Sequence, residues 1–455
     1  MVPDREERLK YGTICFDELD INKDCDIDRY TDEPINPQCK KDAQIMQYRQ
    51  IAGKEKLPFF VDIDHAVTPD DVMNSISMFK KAGIEILSVT CDQGANNREL
   101  ARKMGIAVNK LDSRTTHTFK HPEFPDRVIY WIWDFPHLFK NLRSHLLDDV
   151  TTLPCGNKVT RKDFWELLDL LRNSVGHEHT SGFHLSDEHL ECEGQDRQDI
   201  PLALQLISER TGHAFMKYFP KDKAKQALGK LIICAAKSYK IMTSRCMKYK
   251  GDDLKSALRI YYEEQCEVLN ELKWYMQNTD FKPTVSAPNY FQKGIIRTID
   301  SIFGLHAFMR DKLNLPYLMT SKCDQNYVEM FNKTMRSADG KGGVRNPTGL
   351  QLMYRVARSL TVTILEDESF NIFDLKDEVL MDLQRPENKF DTSIIKIPRN
   401  ISETEMDGMY WGAGFVAFRM KEIQNLGTYV QKSTKDYAKN KFAALLNRGG
   451  LQILG

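Results

Sequence analysis

The chain has 455 residues, of which 41% are hydrophobic and 10% aromatic, and its 64 basic and 64 acidic side chains cancel to a formal charge of zero. That length and apolar content suit about two or three folded domains, and no apolar run reaches the ~18 residues of a membrane span, which argues against secretion and membrane insertion. The ten cysteines form no Cys-x-x-Cys pair, so reduced thiols fit better than a disulfide framework, and zero net charge excludes a uniformly basic surface while allowing a local basic groove.

Taken in chain order, Thr13 to Leu19 is the first strand, an apolar run carrying Asp17 in Ile14-Cys15-Phe16-Asp17. Leu57 to Ile63 is a second strand, Pro69 to Lys81 a helix capped by Thr68, and Glu85 to Cys91 a strand that ends at Asp92-Gln93-Gly94. Asn96 to Met104 reads as a helix, Val128 to Trp133 as a strand, and Pro136 opens the helix His137 to Leu147. The pattern then turns helical, with Lys162 to Arg172, Ile200 to Tyr218, Lys221 to Ser238 and Leu254 to Met276. Asn326 to Arg336 is a further helix whose apolar positions are Tyr327, Met330, Phe331 and Thr334. The Gly340 to Gly343 turn, a helix over 349–363, a loop-rich acidic stretch and a helical tail complete the chain.

Buried strands seldom carry Asp, because an unpaired carboxylate costs several kcal/mol to desolvate. Asp17 and Asp92 at two strand ends therefore point to a shared cation, and Glu329 supplies a third carboxylate from a helix. Hard oxygen ligands favour Mg²⁺, with Mn²⁺ as its substitute. The arrangement suits a two-metal displacement at phosphorus, with ions about 4 Å apart held by Asp17, Asp92 and Glu329.

Five segments occur in the order found in the P-element transposase family, which includes the vertebrate THAP-domain relatives. They are Phe16-Asp17-Glu18, the run from Cys91 to Asn97, the run from Asp134 to Asn141, Gln325 to Phe331 followed by Asn346-Pro347-Thr348, and Gly408 to Ala417. The chain resembles that family from about Tyr11 to about Lys421. The resemblance implies an α/β protein whose RNase H-like domain is split by a large all-α, GTP-binding-type insertion and followed by a helical C-terminal segment. It divides the chain at 1–149, 150–316, 317–363 and 364–455.

The same resemblance implies a nuclear DNA transposase core that cleaves and joins DNA strands, acts as a homo-oligomer and uses GTP as an assembly cofactor. Asp134, Lys140, Lys158, Val159 and Asn270 correspond to the nucleotide contacts, although Lys273 and Trp274 depart from the family pattern. Asn326 also departs, standing where the family has Asp three residues before its catalytic Glu, which leaves a domesticated, inactive DNA- or protein-binding derivative as the alternative. A regulator that only senses nucleotide is a third reading. The family's N-terminal THAP zinc module and dimerising coil have no counterpart before Tyr11. The irregular group His177, His179, His184, His189 and Cys192 does not match a structural zinc site, and Asp20-x-Asn22-x-Asp24 lacks the Gly and Glu of a calcium loop.

Overall fold

The computed structural model describes residues 9–27, 34–36, 39–63, 66–108, 116–175, 185–259, 262–282, 290–337 and 346–366. The Gly408 to Ala417 motif, the Gly340 to Gly343 turn, and His177, His179 and His184 lie outside these residues.

Six strands make the central mixed sheet: β1 (Tyr11–Asp20), β2 (Asp42–Gln50), β3 (Lys56–Asp62), β4 (Glu85–Cys91), β5 (Thr118–Lys120) and β6 (Val128–Trp133). Their spatial order is β3-β2-β1-β4-β6-β5. The β1, β4 and β6 strands run parallel to one another, while β2, β3 and β5 are antiparallel to their neighbours. Sequence periodicity does not anticipate β2, because Gln44, Gln47, Arg49 and Gln50 are polar yet buried. Long-range bonds satisfy two of these side chains, Gln50 Nε2 donating to the Leu9 carbonyl at 2.6 Å and Arg49 to that of Ser321.

Side chains alternate across β1 with period two. Ile14 and Phe16 face the main core, where Phe16 meets Trp131 edge-on at 6.4 Å between ring centroids. Phe16, Trp131 and Trp133 are almost fully buried, and each such side chain contributes about 2–3 kcal/mol. The helix Pro69–Lys81 covers this face, and its Phe79 stacks on Tyr48 of β2 at 4.9 Å. A capping box fixes its start, with Thr68 Oγ1 accepting from the Asp71 amide at 3.2 Å and the Asp71 carboxylate accepting from the Thr68 amide at 2.8 Å.

The region after 150 is mainly but not wholly helical, which corrects the all-α expectation. Val150–Thr152 pairs antiparallel with both Lys158–Val159 and Asp280–Lys282, strands too short to leave a readable period. The expected helix from Ile200 to Tyr218 is two, Ile200–Leu206 and Glu209–Tyr218, because Ser208 caps the second by accepting from the Thr211 amide at 3.2 Å. Longer helices follow at Lys223–Met242 and Tyr262–Asn278.

Tyr290–Leu313 packs directly on β6, where Ser301 Oγ donates to the Trp131 carbonyl at 2.6 Å and Thr298 Oγ1 bonds both the amide and the carbonyl of Trp133. Gly304 permits this approach, since a Cβ there would overlap the Tyr130 ring of β6, and Gly294 lets the same helix lie close to the Gln93 amide and Leu138. The chain then returns through a turn at Thr320–Cys323 to the helices Asn326–Ser337 and Gly349–Glu366. In Asn326–Ser337 the buried face is Val328, Asn332 and Met335, not the expected face, and Met330 is 59% exposed. Met335, Leu352 and Val356 pack with Leu19, Ala43 and Ile45 on the second side of the sheet.

Candidate active site

The face of β1 opposite the main core presents Cys15, Asp17 and Leu19, and each meets the returning chain. Cys15 Sγ donates to the Asp324 carbonyl at 3.5 Å, Asp17 accepts from Asn332, and Leu19 packs with Met335. On β4 the matching face presents Thr90, whose hydroxyl donates to the Cys323 carbonyl at 3.2 Å. Cys15 is in parallel register with Thr90, so two residues further along Asp17 comes level with Asp92. Gln325 Nε2 donates to the Phe16 carbonyl at 2.5 Å and closes the stitching. These bonds fix where the Asn326–Ser337 helix begins and hence where Glu329 stands.

The three carboxylates interact. Burial first, then the negative charges of Asp92 and Glu329, push the Asp17 pKa up to about 7 against the opposing pull of His137. Burial also raises the Glu329 pKa, helped by Asp134 and Asp92 and opposed by His137 and Lys140. Asp92 is held by the Gly94 amide at 2.8 Å and by Asn97 Nδ2 at 2.7 Å, both on one carboxylate oxygen, Oδ1. Clustered acids that repel one another offer hard oxygen ligands to a divalent cation, so the donor set fits Mg²⁺ or Mn²⁺.

Asp134 caps the helix Phe135–Asp148 and is only 1% exposed. Its Oδ2 accepts from the His137 amide at 3.0 Å and lies 2.7 Å from His137 Nδ1, while its Oδ1 accepts from the Gln325 amide at 2.8 Å. Burial works to raise its pKa, but the His137 and Gln325 bonds win and hold it below the usual range. Burial likewise works against a charged His137, yet the Asp134 carboxylate lifts that imidazole to about 9. His137 Nδ1 is also 3.6 Å from Glu329 Oε1. Asp134, His137 and Glu329 bring one potential ligand atom each within 4.8 Å of one another, so Glu329 belongs to two candidate metal-binding sets. The imidazole is, however, already engaged by Asp134.

The expected nucleotide contacts are less concentrated. Both Asp134 oxygens are taken by protein donors, so they are not free for a guanine edge in this arrangement. Lys140 is 8% exposed and donates to Gln198 Oε1 at 2.7 Å. Burial lowers its pKa, while Glu329, Asp134 and Asp92 act in the other direction, which sets its ammonium beside the acidic cluster. Lys158 and Val159 form one of the two outer strands of the small sheet, with Lys158 exposed and the Val159 side chain fully buried. Asn270 is exposed on Tyr262–Asn278, where Lys273 pairs with Asp300 and Trp274 is 49% exposed.

Several residues at the site carried no role in the sequence reading. Arg49 lies 3.8 Å from Asp324 and stacks on Tyr327 at 3.5 Å from the ring centroid. Burial and the nearby Asp134 charge raise the Asp324 pKa to about 7. His137 was visible only as part of a motif. Asn332 had one signal available, a polar residue in the centre of an otherwise apolar helix face.

No family model matches the chain. The curated Transposable element P transposase of Drosophila melanogaster is 26% identical over 364 residues, a match that spans 77% of the chain and 45% of that relative. The chain therefore spans less than half the length of that protein. Among solved structures, the Drosophila P element transposase strand transfer complex superposes with a TM-score of 0.71 at 23% identity, covering 81% of the chain and 80% of its counterpart. The mixed α/β fold is thus the one seen in that complex, and the chain is homologous to the Drosophila P element transposase.

Proposed function

We propose that the chain is the catalytic core of a P-element-like DNA transposase. The observation that carries this reading is the convergence of Asp17, Asp92 and Glu329 from two parallel strands and a long-range helix, with Asp17 pushed to about 7 by burial and by the other two acids. The strand order β3-β2-β1-β4-β6, with only the first two connections antiparallel, supports an RNase H-like sheet, and the largely helical stretch between β6 and Glu329 supports a split domain.

Asp17, Asp92 and Glu329 would hold Mg²⁺ or Mn²⁺, which when bound activates an attacking oxygen and stabilises a leaving one in phosphoryl transfer. The chain's own residues orient these acids. Asn97 and the Gly94 amide fix Asp92, Asn332 bonds Asp17, and the Gln325 and Asp134 contacts set the start of the Glu329 helix. Nearby positive charge on His137 and Lys140 limits repulsion among the acids. DNA as substrate, assembly of several copies and a nuclear setting belong to this proposal.

GTP rests on the resemblance. In the chain by itself Asp134 is committed to a helix cap, Lys140 donates to Gln198 and the Val159 side chain is buried. The test of the catalytic reading is nicking of supercoiled plasmid in Mg²⁺ or Mn²⁺ by the purified chain and by Asp17→Ala. Metal-dependent nicking that the substitution removes supports it. A folded wild-type chain that neither binds these ions nor nicks DNA points to the domesticated, non-catalytic derivative.

A further inference from the structure

Asn332 stands out on the helix that carries Glu329. Val328, Asn332 and Met335, spaced at i, i+4 and i+7, form its buried seam, so an amide occupies the middle of a face that otherwise packs apolar side chains. Asn332 is 3% exposed, although nothing in packing alone calls for a polar group there. Its Nδ2 donates to Asp17 Oδ2 at 3.1 Å across 315 residues of chain. Its Oδ1 is buried and has no hydrogen-bond partner among the described residues. Buried amides are normally satisfied at both ends, so a half-satisfied one beside an acidic cluster indicates a group selected for what it holds.

Because Asn332 lies three residues after Glu329, the same helical turn supplies one candidate ligand and the donor that orients another. Binding a cation requires Asp17 ionised, and an ionised carboxylate only accepts, so in that form the amide presents its NH₂ to Asp17 and Oδ1 is left as an acceptor.

We infer that Asn332 is a positioning residue of the cation site: its amide would fix the Asp17 carboxylate in the orientation that binds a divalent ion. This deepens the catalytic reading above and rests on it. Groups that orient metal ligands typically govern about 10- to 100-fold in metal affinity.

The experiment titrates Mn²⁺ alone into the full chain, its Asn332→Leu variant and its Asp17→Ala variant, with the melting temperature of each metal-free protein recorded in parallel. Leu keeps the volume of the buried side chain while removing both polar atoms. The expected result is Mn²⁺ binding by the wild type, its loss in Asp17→Ala, and at least about tenfold weaker binding in Asn332→Leu with the metal-free melting temperature retained or raised. Asn332→Gln, which restores a donor, recovers part of the affinity. Unchanged Mn²⁺ affinity in Asn332→Leu overturns the positioning role and leaves the acidic site standing. No Mn²⁺ binding by the wild type, or equal binding by Asp17→Ala, overturns the catalytic reading and this inference with it. If Asn332→Leu does not fold, Asn332→Ala replaces it under the same criteria.

Discussion

The acidic cluster and the expected nucleotide contacts are built in opposite ways. Around Asp17, groups from β1, β2 and β4 reach the 320–335 segment through hydrogen bonds, and the side chains involved are mostly buried. Around Lys158 and Asn270 the side chains are exposed, on a two-residue strand and on a helix surface. A site made by sheet register is fixed before any ligand arrives, whereas exposed side chains on separate elements need the ligand to gather them. The first region is held together by the chain itself, and the proposed cation site rests on that; in the second the expected contact side chains lie on separate elements.

The largest expected difference lies in stability. Asp134→Ala removes a buried helix cap and leaves the half-buried His137 without its partner, so a loss of about 2 kcal/mol is expected, read by urea or thermal unfolding. A change below about 1 kcal/mol would separate Asp134 from the core of the first region. The next effect is on metal binding. Because Asp17 holds its proton up to about pH 7, a cation must displace that proton below pH 7, and Mn²⁺ affinity is expected to rise by up to about tenfold per unit from pH 5.5 and to level off above 7. A flat profile across that range would remove Asp17 from the ligand set.

Asp324 gives a different signature. Its folded pKa of about 7 exceeds the ordinary value of 3.8, so its contribution to stability is fully present below about pH 4 and is lost as pH rises through about 7. Asp324→Asn is expected to flatten the fall in unfolding free energy between pH 4 and 8 by roughly 2 kcal/mol, whatever its effect on absolute stability through Arg49. An unchanged slope would count against a buried, protonated Asp324. Smallest of all, Lys158→Ala and Asn270→Ala are expected to change stability by less than about 0.5 kcal/mol. If GTP binds there, both lower its affinity in a calorimetric titration, and unchanged affinity would move the nucleotide elsewhere.

What the sequence revealed follows the physics of each element. The β1, β4 and β6 strands and the Pro69–Lys81 helix were legible because they are apolar runs with clear caps, and Asp17, Asp92 and Glu329 because they sit within family motifs. The β2 strand was hidden because the bonds that let Gln50 and Arg49 be buried come from Leu9 and Ser321, distant in sequence. The small sheet escaped because strands of two or three residues have no period. Asn332 escaped because an apolar-face reading passes over a polar residue, and its reason for being buried, Asp17, lies 315 positions away. His137 was in view, but its contacts with Asp134 and Glu329 depend on where the returning helix lands.

The most direct test of the central claim is a Mn²⁺ titration of the wild-type chain beside Asp17→Ala, Asp92→Ala and Glu329→Ala, each first shown to be folded. If the three carboxylates form one cation site, the wild type binds and every single substitution weakens the same binding event by about tenfold or more. Wild-type protein that does not bind, or substitutions that leave the affinity unchanged, would contradict a shared site.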